Sequence, residues 1–271
     1  MDYKMLVLDL DGTLTNKKKE ITPYTKEVLI KAQQAGVKIV LASGRPTYGI
    51  IPLAKELELD QYNGFILAFN GGQIIECHTG KTIYQKTFEK EEVNLLDKLA
   101  KENKVAVLTY EDKFIITEKK EDKYVQIESM ITHMKIKEVK SFSEYVNFPV
   151  TKCLLVEDGD YLAKVEKKIK DVVGNMLSVY RSEPYFLEIM PQNVDKAASL
   201  RRLLRYLGLS KEEMIACGDG FNDQSMIEYA GLGVAMRNAQ EEVKKVADYV
   251  APSNDEEGVA HVVTKFVLQK A

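Results

Sequence analysis

Residues suited to zinc or to disulfide frameworks are scarce. The 271-residue chain has three cysteines and three histidines. Cys77, Cys153 and Cys217 show neither the paired spacing of a zinc site nor the density of a secreted, disulfide-stapled domain. His78, His133 and His261 stand far apart and form no ligand-spaced pair. Cys153 and Cys217 fall in apolar runs and are expected to be buried thiols, which fits a reducing cytoplasm. An excess of one charge is also lacking: 38 basic and 41 acidic residues are mixed along the chain for a formal charge of -3. No basic face for nucleic acid is expected from that balance, and Lys17-Lys18-Lys19 reads as a solvated loop. No apolar run approaches the length of a membrane span, and the N-terminus enters a strand without a signal-peptide pattern. There is no internal repeat and no low-complexity linker. What remains is a chain that is 45% hydrophobic and 29% charged, typical of a soluble globular protein with room for one large or two smaller domains.

Against that background one stretch stands out. The apolar run Met5-Leu6-Val7-Leu8 leads into Asp9-Leu10-Asp11-Gly12-Thr13-Leu14, so two carboxylates lie two residues apart at the end of a strand. Carboxylates so close repel when both are ionised, and a cation or a shared proton is expected between them. Magnesium suits the place, because it is a hard ion that takes carboxylate oxygens together with substrate phosphate oxygens. A lone D-x-D-G also fits a solvated turn, so the rest of the chain has to decide.

Downstream, Thr22-Pro23 reads as an N-cap and first helical residue, and the helix stops at Gly36. Val37 to Ala42 is a second strand ending in Ser43-Gly44-Arg45-Pro46. A helix from Thr47 to about Leu57 and a third strand, Phe65 to Phe69, ending in Asn70-Gly71-Gly72, complete a buried parallel sheet with its loops at one edge. Ligands bind there, outside the carboxyl ends of the strands. From Tyr84 the pattern changes to alternating strands and amphipathic helices, including helices over 91–101, 124–134 and 161–173, which read as an α+β insert. The parallel pattern returns with a helix from Lys196 to Leu207, the strand Met214 to Cys217, and Gly218-Asp219-Gly220-Phe221-Asn222-Asp223. A helix over 258–269 closes the chain.

Ser43 offers a hydroxyl and neighbouring backbone N–H groups near a helix start, which suits a phosphate. Lys196 opposes the dipole of the helix it opens, a misplacement that favours a functional charge. Asp219 and Asp223 place a second set of carboxylates directly after an apolar strand of the same sheet.

These four segments resemble, in order, the four motifs of the haloacid-dehalogenase superfamily. The position of the insert resembles the type C2 cap, and the Asn70-Gly71-Gly72 loop is similar to the Cof-like subfamily, although Ala197 stands where such members more often carry Gly. The resemblance implies an α/β protein with a Rossmann-like core over 1–83 and 189–271 and an α+β cap over 84–188, which opens and closes through linkers near Ile83 and Pro191. It further implies a magnesium-dependent phosphatase of small phosphorylated metabolites such as sugar phosphates, with Asp9 as nucleophile and Asp11 as acid and base. Magnesium would be held by Asp9, Asp219 and the backbone carbonyl of Asp11, with Asp223 behind them. Leu10, Ser43, Gly44, Lys196 and Asn222 would bind the phosphoryl group, and Arg45 would touch the substrate. The expected protein is a monomer or weak homodimer without nucleic-acid or membrane partners. A phosphomutase of the same fold and a phospho-accepting signalling module are the alternatives, the second being about half this length. An aspartyl-phosphate ATPase is disfavoured, since it has no use for Asp11 and would carry transmembrane helices.

Overall fold

The computed structural model describes residues 2–270. The chain forms two compact units, one of residues up to Tyr84 together with those from Asp195 onward, the other Gln85–Val194.

The first unit opens with β1 (Met5–Leu8), buried on both faces as a central parallel strand must be. In α1 (Pro23–Gln34) the Thr22 hydroxyl accepts from the Thr25 N–H and proline occupies the first turn, so the start of the helix is settled locally. Then come β2 (Lys38–Ala42), α2 (Thr47–Glu56) and β3 (Phe65–Ala68). Phe69, expected as the last strand residue, instead opens a single 3-10 turn, Phe69–Gly71. Two strands that were not expected from the sequence follow, β4 (Gln73–Glu76) and β5 (Thr82–Gln85). Their mixed burial hides the apolar run that marks the interior strands.

The second unit contains α3 (Lys90–Glu102), β6 (Ala106–Glu111), β7 (Phe114–Thr117), α4 (Lys123–Thr132), β8 (Lys135–Glu138), α5 (Phe142–Tyr145), β9 (Cys153–Val156), α6 (Gly159–Val173), β10 (Leu177–Glu183) and β11 (Phe186–Pro191). Its sheet runs β10-β11-β9-β6-β7-β8. Val107, Cys153, Leu155 and Leu187 on one face pack with Val93 and Leu96 of α3 and Leu162, Val165 and Ile169 of α6. Leu108, Leu154 and Phe186 on the other face pack with Val125 of α4. α4 stops short of the expected Met134 because His133 takes a left-handed conformation, φ 55°. Ile83, near which one linker was expected, lies in β5, and Pro191, near the other, is the last residue of β11. The chain passes from one unit to the other at Tyr84–Gln85 and back at Val194–Asp195, and the second unit extends past residue 188 because β11 pairs along its whole length with β10.

Back in the first unit, α7 (Lys196–Leu207) is capped by the Asp195 side chain, which accepts from the Ala198 N–H at 2.9 Å, and ends at Gly208 with φ 68°. It is followed by β12 (Met214–Gly218), α8 (Gln224–Tyr229), β13 (Leu232–Met236), α9 (Glu241–Val246), β14 (Tyr249–Ala251) and α10 (Gly258–Phe266). α10 is shorter than the expected 258–269. The sheet order is β14-β13-β12-β1-β2-β3-β4-β5, parallel from β14 to β3 and antiparallel at β4. Val7, Val40, Phe65 and Leu67 pack against Leu200, Leu203 and Leu204 of α7 and Met226 and Ile227 of α8. Among the described residues no helix is long and apolar enough to cross a membrane.

The order has one consequence for the site. β2 and β3 lie to one side of β1 and β12 to β14 to the other, so the direction of winding reverses at β1. At such a switch point the loops diverge and leave a crevice at the carboxyl edge.

Candidate active site

Strand register gathers the site. Leu8 pairs with Cys217 on one side and Leu41 on the other, which sets the residues after β1, β12 and β2 side by side. Asp9 just leaves the strand while its N–H still donates to Cys217 O at 3.0 Å. Asp219 and Ser43 emerge beside it.

At the centre is Lys196, with no exposed surface at all. Its Nζ donates to Asp9 Oδ1 at 2.7 Å, to Asp223 Oδ1 at 2.5 Å and to Ala42 O at 2.8 Å. An ammonium has three donors, and all three are used. Burial alone would lower the pKa of Lys196, but Asp223 and Asp9 outweigh it and hold the ammonium above its usual range. Here the Lys196 ammonium, expected on the phosphate oxygens, ties two carboxylates and the end of β2.

Asp223 Oδ2 accepts from the N–H groups of Asp219 and Gly220 at 3.0 and 2.9 Å, and Asp219 Oδ1 accepts from Thr13 Oγ1 at 2.9 Å. Asp9, Asp219 and Asp223 each bring one oxygen within 4.8 Å of the others. One ammonium does not balance three carboxylates. Burial, with the charge of Asp223 adding to it, pushes Asp9 up to about 8 against the pull of Lys196. Burial likewise pushes Asp219 up to about 6, opposed by Thr13. Hard oxygen donors with uncompensated negative charge suit a hard divalent cation. Asp9 and Asp219 are the better placed to meet it, since both Asp223 oxygens already have protein partners. Gly12 makes the close approach possible: its φ is 88°, and a Cβ there would collide with Asp219 Oδ2.

Asp11 is held differently. Arg45 Nε donates to Asp11 Oδ2 at 2.8 Å and Arg45 Nη2 to Oδ1 at 2.6 Å, while Lys19 Nζ donates to Oδ1 at 2.7 Å. Burial would raise this carboxyl, but Arg45 and Lys19 outweigh it and hold it below the usual carboxylate range. The guanidinium of Arg45, expected on the substrate, is engaged here by Asp11 and by Gly49 O at 3.3 Å. Lys19, read from sequence as part of a solvated loop, reaches into the site. Nothing in a Lys-Lys-Lys run indicates which of the three turns back, whereas Thr13 could have been suspected from its place in the Asp-Gly-Thr string.

Ser43 is 3% exposed, and its Oγ accepts from the Arg45 N–H at 3.1 Å. Leu10 buries its side chain, and its carbonyl closes the loop by accepting from the Thr15 N–H and hydroxyl, both at 2.9 Å. Asn222 is exposed and donates through Nδ2 to Asn70 Oδ1 at 3.0 Å. Gly44 lies against the Asn70 amide. Thus Asp9, Asp219, Asp223, Lys196 and Ser43 come together at one edge, Asp11 and Arg45 pair beside them, and Asn222 joins through Asn70.

Residues 6–263 match the haloacid dehalogenase-like hydrolase family. The chain belongs to that family. A haloacid dehalogenase-like hydrolase of known structure from Bacteroides thetaiotaomicron is 49% identical, with TM-score 0.95 over 97% of this chain and 99% of its own. The haloacid dehalogenase subclass IIB sugar phosphatase BT4131 is 28% identical, with TM-score 0.80 over 97% of this chain and 98% of its own. The Bacillus subtilis 5-amino-6-(5-phospho-D-ribitylamino)uracil phosphatase YcsE is 28% identical over 99% of this chain and 97% of its own. Within the family the chain is a Cof-like phosphatase, a hydrolase of phosphoric monoesters.

Two substitutions test the geometry. Gly12→Ala should displace Asp219 and cost roughly a hundredfold in kcat/KM or more, since an ångström of misplacement in an active site costs about that; unchanged kinetics would contradict the close approach. Lys196→Met leaves buried carboxylates unpaired, for which about 3–5 kcal/mol of stability is expected to be lost. Urea denaturation of both proteins reads the difference, and equal midpoints would contradict the hub.

Proposed function

We propose that this phosphatase hydrolyses phosphomonoesters of small hydroxylated metabolites through an aspartyl-phosphate on Asp9, with magnesium as its cofactor. The observation that carries the reading is the state of Asp9: a buried carboxylate at the end of β1, fixed through one oxygen by Lys196 and crowded by Asp219 and Asp223. Magnesium held by Asp9 and Asp219, with Asp223 supporting them, would neutralise negative charge on the phosphoryl group.

The chain's own residues do the rest. A carboxylate oxygen of Asp9 attacks phosphorus and forms the acyl-phosphate bond as the ester oxygen departs. Asp11 gives its proton to the departing oxygen, then takes one from the water that attacks phosphorus, so that inorganic phosphate leaves and Asp9 is regenerated. To carry a proton, Asp11 has to be released from the Arg45 and Lys19 pairs, which favour its ionised form. The Ser43 hydroxyl, the backbone after β1 and β2, and the Asn222 amide are the groups that would cradle the phosphoryl oxygens, where positioning and charge supply most of the catalysis. Support for the substrate class comes from the relatives, one named for a phosphorylated ribityl compound and one for sugar phosphates.

Activity should require magnesium and be inhibited by calcium, which prefers more ligands at longer distances than a few carboxylates provide. Full turnover in excess chelator would contradict this. Asp11→Asn should separate the two duties of that residue. A sugar phosphate has a poor leaving group and should show a first-step loss on the order of a hundredfold to ten-thousandfold. With p-nitrophenyl phosphate the first step is partly spared, so a burst of p-nitrophenol approaching one per enzyme should precede slow turnover, whereas Asp9→Asn gives none. Rapid-quench kinetics decide the matter: a burst from Asp9→Asn, or equal first-step losses on both substrates in Asp11→Asn, would overturn the assigned roles.

A further inference from the structure

The turn Phe69–Gly71 carries more strain and more cross-links than a strand-to-strand connection needs. Phe69 and Asn70 are consecutive non-glycine residues with φ 52° each. The left-handed region is tolerated by asparagine but costs a bulky residue such as phenylalanine about 1 kcal/mol or more, a conformation that persists only when the surroundings impose it.

The surroundings are the loops of the site. The Phe69 N–H donates to Arg45 O at 3.1 Å and the Asn70 N–H to Ser43 O at 2.9 Å, which pins the loop after β2. Gly71 O accepts from Ser199 Oγ at 2.5 Å, one turn along α7 from Lys196. A Cβ on Gly71 would lie 2.6 Å from Asp195 O, so the turn and the start of α7 are in close contact. The Asn70 amide faces both remaining partners: Oδ1 accepts from Asn222 Nδ2 at 3.0 Å, and a Cβ built on Gly44 would sit 3.2 Å from its Nδ2 and Oδ1. One short turn therefore joins the loop after β2, the start of α7 and the loop after β12.

Among the described residues Asn222 makes no other side-chain hydrogen bond. Its side chain is exposed, it follows a glycine-rich segment, and its Nδ2 donates to Asn70. An amide left to rotate in solvent loses rotamer entropy when it must bind a phosphate; one already held by an acceptor has lost it beforehand.

We infer that Asn70 is a positioning residue of the phosphatase reaction, fixing the Asn222 amide against the Ser43–Gly44 loop through its Oδ1. The inference rests on the reading that Asn222 meets the substrate phosphate. Asn70 bears on catalysis through Asn222, and the left-handed conformation at position 70 is what turns its amide toward that partner.

A double-mutant cycle on p-nitrophenyl phosphate turnover with magnesium tests this, using Asn70→Gly, Asn222→Ala and the double variant. Glycine keeps the positive φ without strain, so Asn70→Gly removes the amide while sparing the backbone. Each single variant should raise KM more than it lowers kcat, with a loss in kcat/KM of about tenfold, the scale of one hydrogen bond to a charged partner's ligand. The double variant should be no worse than Asn222→Ala alone, because residues acting as one unit are not additive. Losses that multiply, or wild-type kinetics in Asn70→Gly, would overturn the positioning role while leaving the Asn222 assignment standing. Wild-type kinetics in Asn222→Ala would overturn that assignment, and the inference with it.

Discussion

The structure of the site depends on a buried ammonium. Lys196 satisfies its three donors with Asp9, Asp223 and Ala42 O, and so fastens α7, which returns after the insert, to β1, β2 and the loop after β12. A buried charge that lost any one partner would carry a desolvation penalty of several kcal/mol. The four segments are distant in sequence, yet each needs the others to keep that charge satisfied. The same contact leaves Asp9 with one oxygen fixed in place and leaves the cluster as a whole short of positive charge, which is the condition for recruiting a metal ion.

A second electrostatic layer surrounds the first. Asp11 is separated from Asp9 by a single residue but belongs to a different circuit, with Arg45 and Lys19 as its partners. The two carboxylates are thereby driven apart in character: burial and like charge push Asp9 up, and cationic partners hold Asp11 down. Pairs of acids with opposed environments are a common basis for dividing labour at one site. Asp11 and its partners are partly exposed, so this second circuit is more easily broken than the Lys196 hub.

Much of this was legible in the sequence because it follows from strand ends. An apolar run that stops at Asp9, another that stops before Asp219 and a third that stops before Ser43 are enough to place those residues at one edge once the sheet is parallel. Lys196 betrayed itself by standing at a helix start where a cation is disfavoured. What its ammonium does was not legible, because a sequence cannot show that Asp9, Asp223 and Ala42 O would exhaust its donors. Lys19 and Arg45 were missed as partners of Asp11 for a similar reason: both are long, flexible side chains whose reach depends on the loop carrying them. β4 and β5 escaped notice because they are short and only partly buried, and with them the observation that residue 83 lies in a strand. The Asn70 turn was visible only as a sequence marker, since its φ values and its contacts with three loops arise from the fold.

The central claim is that Asp9 carries the phosphoryl group in mid-reaction. The most direct measurement is an acid-quenched single turnover with a phosphate-radiolabelled substrate, followed by proteolysis and identification of the labelled peptide. The account predicts transient label on the peptide containing Asp9, lost as inorganic phosphate on further incubation and absent when Asp9 is replaced by Asn. Label on another residue, or release of phosphate at full rate with none bound to protein at any quench time, would contradict it.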